Sequence, residues 1–177
     1  MSVLNVVLYP DDPLTKTAAP VDSFGPNLAE LASNMFETMY AFDGVGLAAP
    51  QVGLEMRLFV LHEPEGEKMC LVNPEIVERD GEEFGQEGCL SLPDIYVQVP
   101  RAKRIGVRAQ DVYGEALEFE ANDFLARIIQ HESDHLDGVI FLDRVDVLTQ
   151  NAMLQEWKGI RERLLATSTT GSRPRAF

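Results

Sequence analysis

Basic residues are scarce in this chain of 177 residues. Lysine and arginine together number 15, against 29 aspartates and glutamates, which gives a formal net charge of −14. Proteins that bind DNA or anionic membranes present a basic surface to those partners. The composition therefore predicts neither a DNA-binding protein nor a membrane-binding one.

Long hydrophobic runs and cysteines are also scarce. No apolar run approaches the roughly 18 residues that a membrane-spanning helix needs. The N-terminal stretch MSVLNVVLYPDDPL lacks the basic start and long apolar core of a signal peptide. The two cysteines, Cys70 and Cys89, are too few for a disulfide scaffold. These absences predict a cytoplasmic protein in a reducing environment.

The charge is unevenly distributed along the chain. From Thr149 onward five basic residues accompany two acidic ones, a net charge of +3, whereas the preceding 148 residues carry −17. The last residues, ATSTTGSRPRAF, are rich in Ser, Thr, Gly and Pro, a composition typical of frayed termini. We predict one domain over residues 1–165 and a flexible tail over residues 166–177.

The order of predicted elements indicates the fold class. Apolar periodicity predicts helices over about residues 26–42, 122–137 and 147–165, with Gly44 and Gly138 just past the first two. Short β-like runs fill residues 57–121, and Tyr113-Gly114 has the composition of a hairpin turn. One helix, many mainly antiparallel strands and then further helices predict an α+β fold.

The strongest chemical signal is the segment QHESDHLDG. His131 and His135 are four residues apart, so on a helix they share one face and can bind one metal ion. Glu132 lies beside His131, within reach of a water held at that metal. The chain has only three histidines, so this spacing around a glutamate is poorly explained by chance. We predict a metal site on the second helix.

A catalytic metal site needs a third protein ligand and one open position. Cys89, in GQEGCLSLP, is the first candidate, since a thiolate binds soft and borderline metals well. The alternative is that Cys89 is a small buried hydrophobe, as most lone cysteines are. Cys70 lies in an apolar run and is interpreted as a core residue, and His62 as an ordinary residue at a strand end.

Two rival interpretations follow from the histidine pair. A zinc endopeptidase with the same motif would take a downstream carboxylate as its third ligand, and Glu156 lies in a plausible range. A non-catalytic metal-binding module would need a fourth protein ligand, and none suggests itself. Replacing Cys89 or Glu156 and measuring metal content would separate the first rival from a site that uses Cys89.

A third segment, DGVGLAAPQVG, is crowded with small residues and ends near Gln51. It is neither a P-loop nor a dinucleotide fingerprint, because the glycine spacing and the flanking residues differ. Small residues let the backbone approach either packed protein or an extended ligand. Taken alone, the segment favours a tightly packed turn.

Taken in order, the three segments GVGLAAPQ, EGCLS and HESDH resemble the signature motifs of the peptide deformylases. The stretches LYPDDPL and VPRAKRIGVRAQD also resemble that family, and the similarity covers nearly the whole chain. It implies a metal-dependent hydrolase that removes the formyl group from N-formylmethionine at the start of new polypeptides, releasing formate. Ser133, in place of the family's usual apolar residue, and Tyr96, in place of an arginine near the substrate, depart from the pattern.

The resemblance assigns roles to particular residues. Cys89, His131 and His135 would bind the metal, and Glu132 would be the general base and acid. Gln51 and the backbone N–H of Leu90 would stabilise the oxyanion. Arg127 and Glu87 would orient neighbouring side chains. The substrate would contact a further group of residues: Val45, Gly46, Gly88, Phe124 and Ile128.

The metal and the partners are also expectations of this resemblance. Family members commonly use Fe²⁺, which we expect here, with Zn²⁺, Ni²⁺ or Co²⁺ as possible substitutes. The partners would be N-formylmethionyl nascent peptides. The basic segment from Thr149 adds the hypothesis of contact with the ribosome, against which a solvated helix face is the alternative.

Overall fold

The computed structural model of the chain describes residues 2–167. The helices are α1 (Pro26–Ala41), α2 (Asp123–Leu136) and α3 (Val147–Thr167). The strands are β1 (Gly46–Ala48), β2 (Leu58–His62), β3 (Lys68–Asp80), β4 (Glu83–Cys89), β5 (Leu92–Arg101), β6 (Arg104–Gln110) and β7 (Ala116–Asn122). Short 3₁₀ helices cover Ala49–Val52 and Phe141–Arg144. The predicted α+β class is confirmed.

The strands form two antiparallel sheets. The larger has five strands in the order β1-β2-β3-β6-β7, and the smaller pairs β4 with β5. The β6–β7 hairpin turns at the predicted place, where Asp111 Oδ1 accepts hydrogen bonds from the N–H groups of Tyr113 and Glu115, and Gly114 has φ +84°. Such side-chain acceptors stabilise turns.

Helices cover both faces of the larger sheet, which explains why β2 is apolar throughout. Leu58 and Val60 belong to the core cluster that contains α1 residues such as Met35. The alternating residues Phe59 and Leu61 belong to the cluster that contains α2 residues such as Ile129. Because successive side chains of a strand point to opposite faces, a strand covered on both faces is apolar at every position.

A third core cluster joins α3 to the smaller sheet. Trp157 and Ile160 of α3 pack with Ile95 and Val99 of β5 and with Phe141. The Trp157 indole N–H donates to the carbonyl oxygen of Tyr9 at 2.9 Å, which ties α3 to the N-terminal segment. Among residues 2–167, no helix combines the length and the apolarity that crossing a bilayer requires.

The helix ends differ slightly from the predictions. Gly138 follows α2 with φ +71°, as its predicted place past the helix end requires. After α1, however, the left-handed residue is Asp43 (φ +55°), and the N–H of Gly44 bonds back to Met39. Aspartate tolerates this conformation better than most residues. Helix α3 continues to Thr167, two residues into the predicted tail, and residues 168–177 lie outside the described part.

Candidate metal centre

Helix α2 carries polar residues on a face that is buried in the protein. His131, Glu132 and His135 are at most 3% exposed. The helix packs against β1 and β2, with Ile128 and Ile129 in the same core cluster as Phe59. Burying imidazole and carboxylate groups costs free energy unless partners compensate them. The groups that contact these three side chains therefore indicate the chemical role of this helix face.

Cys89 meets the two histidines from the end of β4. Its Sγ lies 3.4 Å from Nε2 of His135, and one ligand atom from each of Cys89, His131 and His135 lies within 4.8 Å of the others. All three residues are buried. One thiolate and two imidazoles form a donor set suited to a borderline divalent metal, and their clustering allows one ion to contact all three. The residues therefore fit the metal that the sequence predicts.

Glu87 fixes the orientation of His131. Its Oε1 lies 2.7 Å from Nδ1 of His131, while Arg101 approaches both of its oxygens at 2.9 Å. Burial raises the pKa of the Glu87 carboxyl, but hydrogen bonds from Arg101 and His131 outweigh burial and hold that pKa well below its ordinary value. An ionised Glu87 makes Nδ1 the donor, so in the neutral imidazole Nε2 is the nitrogen left to bind a metal.

An ion-pair network continues from Arg101 behind α2. Arg101 Nη1 donates to Asp134 at 2.6 Å, and Arg144 donates to both oxygens of Asp134. Asp134 is the fourth residue of HESDH, and its side chain accepts hydrogen bonds from these two arginines. Sequence reasoning did not assign roles to Arg101, Asp134 or Arg144. Arg101 and Asp134 lie in segments that resemble the deformylases, whereas Arg144 lies in none of them.

Gln51 faces the thiol from the 3₁₀ helix that follows β1. Its Oε1 accepts a hydrogen bond from the N–H of Ala48 at 2.9 Å, and its Nε2 lies 3.5 Å from Cys89 Sγ and 3.2 Å from Ser91 Oγ. The first bond orients the amide so that its NH₂ group points into the site. Leu90 directly follows Cys89 and is buried against the α1 core cluster.

Glu132 lies against the backbone of β1. A Cβ at Gly46 would collide with Oε1 of Glu132, so only glycine allows this approach. Glu132 Oε2 is buried and has no hydrogen-bond partner among residues 2–167. Burial raises the pKa of Glu132 to about 7. A buried carboxylate oxygen with nothing to bond in the protein is a group available to water or substrate.

The other residues expected to contact substrate lie just before β1, on β4 and on α2. The carbonyl of Val45 accepts a hydrogen bond from the N–H of His62. Phe124 is 37% exposed in the first turn of α2, and Ile128 is buried one turn further along. A Cβ at Gly88 would lie 2.7 Å from the Tyr96 ring, so the ring packs directly on that glycine.

Other residues singled out from the sequence lie elsewhere. Glu156 is exposed on α3 and is absent from the Cys89, His131 and His135 group. Cys70 packs against the α1 core cluster, and burial raises the pKa of its thiol to about 12. His62 ends β2, and its Nδ1 lies 2.8 Å from the Tyr40 hydroxyl. Ser133 is partly buried, and its Oγ has no hydrogen-bond partner within the described residues.

Comparison with known proteins identifies relatives over nearly the whole chain. The polypeptide deformylase family model matches residues 3–151. The chain is 45% identical over 159 residues to a peptide deformylase of Acidobacterium capsulatum, covering 88% of this chain and 94% of the relative. It is 46% identical over 160 residues to one of Chromobacterium violaceum, covering 89% and 96%.

Solved structures agree with this match. The fold superposes on a peptide deformylase from Legionella pneumophila with a TM-score of 0.86 at 39% identity, covering 93% of this chain and 98% of that one. It superposes on the enzyme from Thermus thermophilus with a TM-score of 0.85 at 43% identity, covering 91% and 96%. Because the family model matches residues 3–151 and the Acidobacterium and Chromobacterium relatives share 45% and 46% identity over nearly the whole chain, the chain belongs to the polypeptide deformylase family.

Proposed function

We propose that this chain removes the formyl group of N-formylmethionyl peptides at a metal bound by Cys89, His131 and His135. The reaction is that of the family: water and the formyl peptide give formate and a peptide with a free N-terminal methionine. The family is metal-dependent. The observation that supports these ligands is the cluster of three buried donor atoms within 4.8 Å of one another, beside a carboxylate.

A divalent metal in this donor set would lower the pKa of a coordinated water and polarise the formyl carbonyl. Glu132 accepts the proton of the attacking water and then delivers it to the amide nitrogen as the C–N bond breaks. The position of Glu132 supports this role, because its Oε2 is buried without a partner among the described residues and Oε1 lies against Gly46. Proton transfer of this kind contributes typically about 10²–10⁴-fold to rate.

Gln51 and Leu90 stabilise the negative charge that develops on the formyl oxygen. The Gln51 amide is held by Ala48, so its NH₂ group needs no reorientation during the reaction. The backbone N–H of Leu90, the residue after Cys89, donates a hydrogen bond to the same oxygen. Each fixed donor to an oxyanion is worth about 10²–10³ in rate.

The peptide is held as an added strand on β1. Within the described residues β1 pairs only with β2 in the larger sheet, so its other side is a sheet edge. The His62 N–H donates to the Val45 carbonyl, so Val45 faces β2. Because backbone groups alternate along an antiparallel strand, those of Gly46 face the edge and can pair with substrate. Gly88 of β4 also contacts the bound peptide, and Val45, Phe124 and Ile128 supply apolar surface for the methionine side chain.

We further propose Fe²⁺ as the native metal, since one thiolate with two imidazoles suits Fe²⁺ as well as Zn²⁺. The net charge of +3 from Thr149 onward supports contact with ribosomal RNA, and the −17 of the preceding residues opposes it. Action on nascent chains supports a cytoplasmic location.

Formate release from formyl-Met-Ala-Ser, measured together with bound metal, tests the proposal. The purified chain should release formate and carry about one divalent ion per molecule. Cys89→Ala should lose both the ion and turnover, whereas Glu156→Ala should keep both. A Cys89→Ala variant with full metal content, or a metal-loaded chain that releases no formate, would contradict the proposal.

A further inference from the structure

Arg127 links the strand that carries Cys89 to the helix that carries both histidines. It lies on α2 one turn before His131, so the two side chains share a face. Its guanidinium donates to the carbonyl oxygens of Glu83 and Val99 at 2.7 and 2.8 Å. It also donates to Glu87 Oε2 at 2.7 Å. One side chain thereby joins α2 to β4 and β5.

Gly85 provides the space in which this guanidinium lies. A Cβ built on Gly85 would be 2.8 Å from both Cζ and Nε of Arg127. Real Cβ atoms essentially never come that close, so a side chain at position 85 has to displace the guanidinium. The Arg127 side chain is only 8% exposed, and displacing it breaks its bonds to the backbone of β4 and β5. The φ of Gly85 is not in the left-handed region, so the close contact alone calls for glycine there.

These contacts lie close to the metal ligands along both elements. Glu87 is two residues before Cys89 and bonds His131, while Arg127 is four residues before His131. Displacing Arg127 therefore shifts the carboxylate that orients one ligand and the strand that carries another. Partners of metal ligands typically affect metal affinity about 10–100-fold when they are removed.

We propose that Gly85 and Arg127 are a matched pair of positioning residues that sets the separation between β4 and α2 and thereby the metal affinity. The inference rests on the proposed ligand set of Cys89, His131 and His135. Neither residue touches the reacting atoms. Arg127 acts through Glu87 and the β4 backbone, and Gly85 acts by leaving room for Arg127.

A double-mutant cycle on the full chain tests the pairing. The dissociation constant for Zn²⁺ is measured by competition with a chromophoric chelator for the parent, Gly85→Ala, Arg127→Leu and the double variant. Gly85→Ala should weaken Zn²⁺ binding about 10–100-fold in the parent. In the Arg127→Leu background it should have no further effect beyond about twofold, because the group it displaces is gone. Gly159→Ala on α3, where nothing lies within 4 Å, is the matched control and should bind Zn²⁺ as the parent does.

Two further measurements separate positioning from general stability. The visible absorption of bound Co²⁺ should change in Gly85→Ala and not in Gly159→Ala, because it reports ligand geometry. A Gly85→Ala variant whose metal-free unfolding midpoint falls while its Zn²⁺ affinity stays at the parent value overturns the inference. The inference is also overturned if Gly85→Ala lowers the Zn²⁺ affinity equally in the parent and in the Arg127→Leu background.

Failure to fold is also informative. If Gly85→Ala does not fold but the double variant does, the pairing is supported; if neither folds while Arg127→Leu does, it is overturned. Formate release by the parent is measured alongside. An active parent whose Zn²⁺ affinity is insensitive to Gly85→Ala overturns the pairing and leaves the proposed function intact.

Discussion

Glu87 and His131 form a buried hydrogen bond of 2.7 Å that joins β4 to α2. The carboxylate also accepts hydrogen bonds from Arg101 and Arg127, so its negative charge compensates two buried cations. Orienting partners of this kind fix the ring and the tautomer of a metal-binding histidine.

Glu87→Gln tests this relationship. The amide keeps the shape of the side chain but removes the charge between the two arginines, so we expect metal affinity to fall about 10–100-fold. Chelator competition with Zn²⁺ measures the effect, and Glu156→Gln on the exposed face of α3 is the control. Unchanged affinity in Glu87→Gln would show that Glu87 does not orient His131.

Glu132→Gln should retain the metal and lose nearly all turnover. The substitution leaves the ligands and the side-chain shape in place and removes only proton transfer, which is worth about 10²–10⁴ in rate. Metal content and formate release are measured on the same sample. Activity within a few-fold of the parent would exclude Glu132 as the general base.

Cys70 should resist alkylation in the folded protein. Burial raises the pKa of its thiol to about 12, so little thiolate exists at pH 8. We expect iodoacetamide to modify it at least about 100-fold more slowly than it modifies a free thiol with pKa about 8.5. Mass spectrometry of the native chain, compared with the chain in urea, measures this rate.

The raised pKa of the Cys70 thiol also makes the stability of the fold depend on pH. The folded state holds the Cys70 proton more tightly than the unfolded chain does. The raised pKa therefore adds to the free energy of unfolding below about pH 8.5, and this stabilisation is lost as the pH rises toward the pKa of the folded state. Cys70→Ser should therefore flatten the alkaline part of the unfolding curve. Native alkylation of Cys70 at the rate seen in urea would refute the raised pKa.

Enzyme prepared without oxygen should carry iron, turn over rapidly and lose activity in air. Fe²⁺ beside a thiolate can be oxidised by O₂ or peroxide, which endangers both the metal and Cys89. Replacing the bound Fe²⁺ by Ni²⁺ or Co²⁺ should keep the turnover rate and abolish the loss of activity in air. An anaerobic preparation that contained only Zn²⁺, was fully active and tolerated peroxide would overturn the iron assignment.

Truncation after Leu165 tests the ribosome hypothesis. It removes Arg173 and Arg175, two of the five basic residues that follow Thr149. We expect weaker co-sedimentation with ribosomes at low salt, because contacts with phosphates depend on these charges. Failure of the intact chain to sediment, or no effect of truncation, would reject this partner.

Sequence patterns predicted best those features that depend on neighbouring residues. The spacing of His131 and His135 predicts a shared helix face directly, and the turn at Tyr113-Gly114 follows from local composition. The sequence does not predict β1, because Gly46–Ala48 is only three residues long and has no β-branched or aromatic residue; pairing with β2 is what makes it a strand. It is tertiary context that determines such a segment.

The ion pairs behind α2 could not be read from the sequence for a related reason. Arg101 and Asp134 are 33 residues apart, and the many other charges of the chain offer equally plausible partners until the fold selects one. Cys89 is intermediate between these cases. The residues around Cys89 left its role open. The ligand role was predicted only because EGCLS occurs together with GVGLAAPQ and HESDH, as in the deformylases.

If the substrate pairs with β1 as we propose, the shortness of that strand limits how many residues of a polypeptide the protein contacts. Three residues in extended conformation span about 10 Å. A peptide paired along that edge would present its first few residues to the protein and leave the remainder in solvent. Recognition would then depend on the first residues of each new chain and not on the sequence that follows them. This suits an enzyme whose substrates share only their first residue.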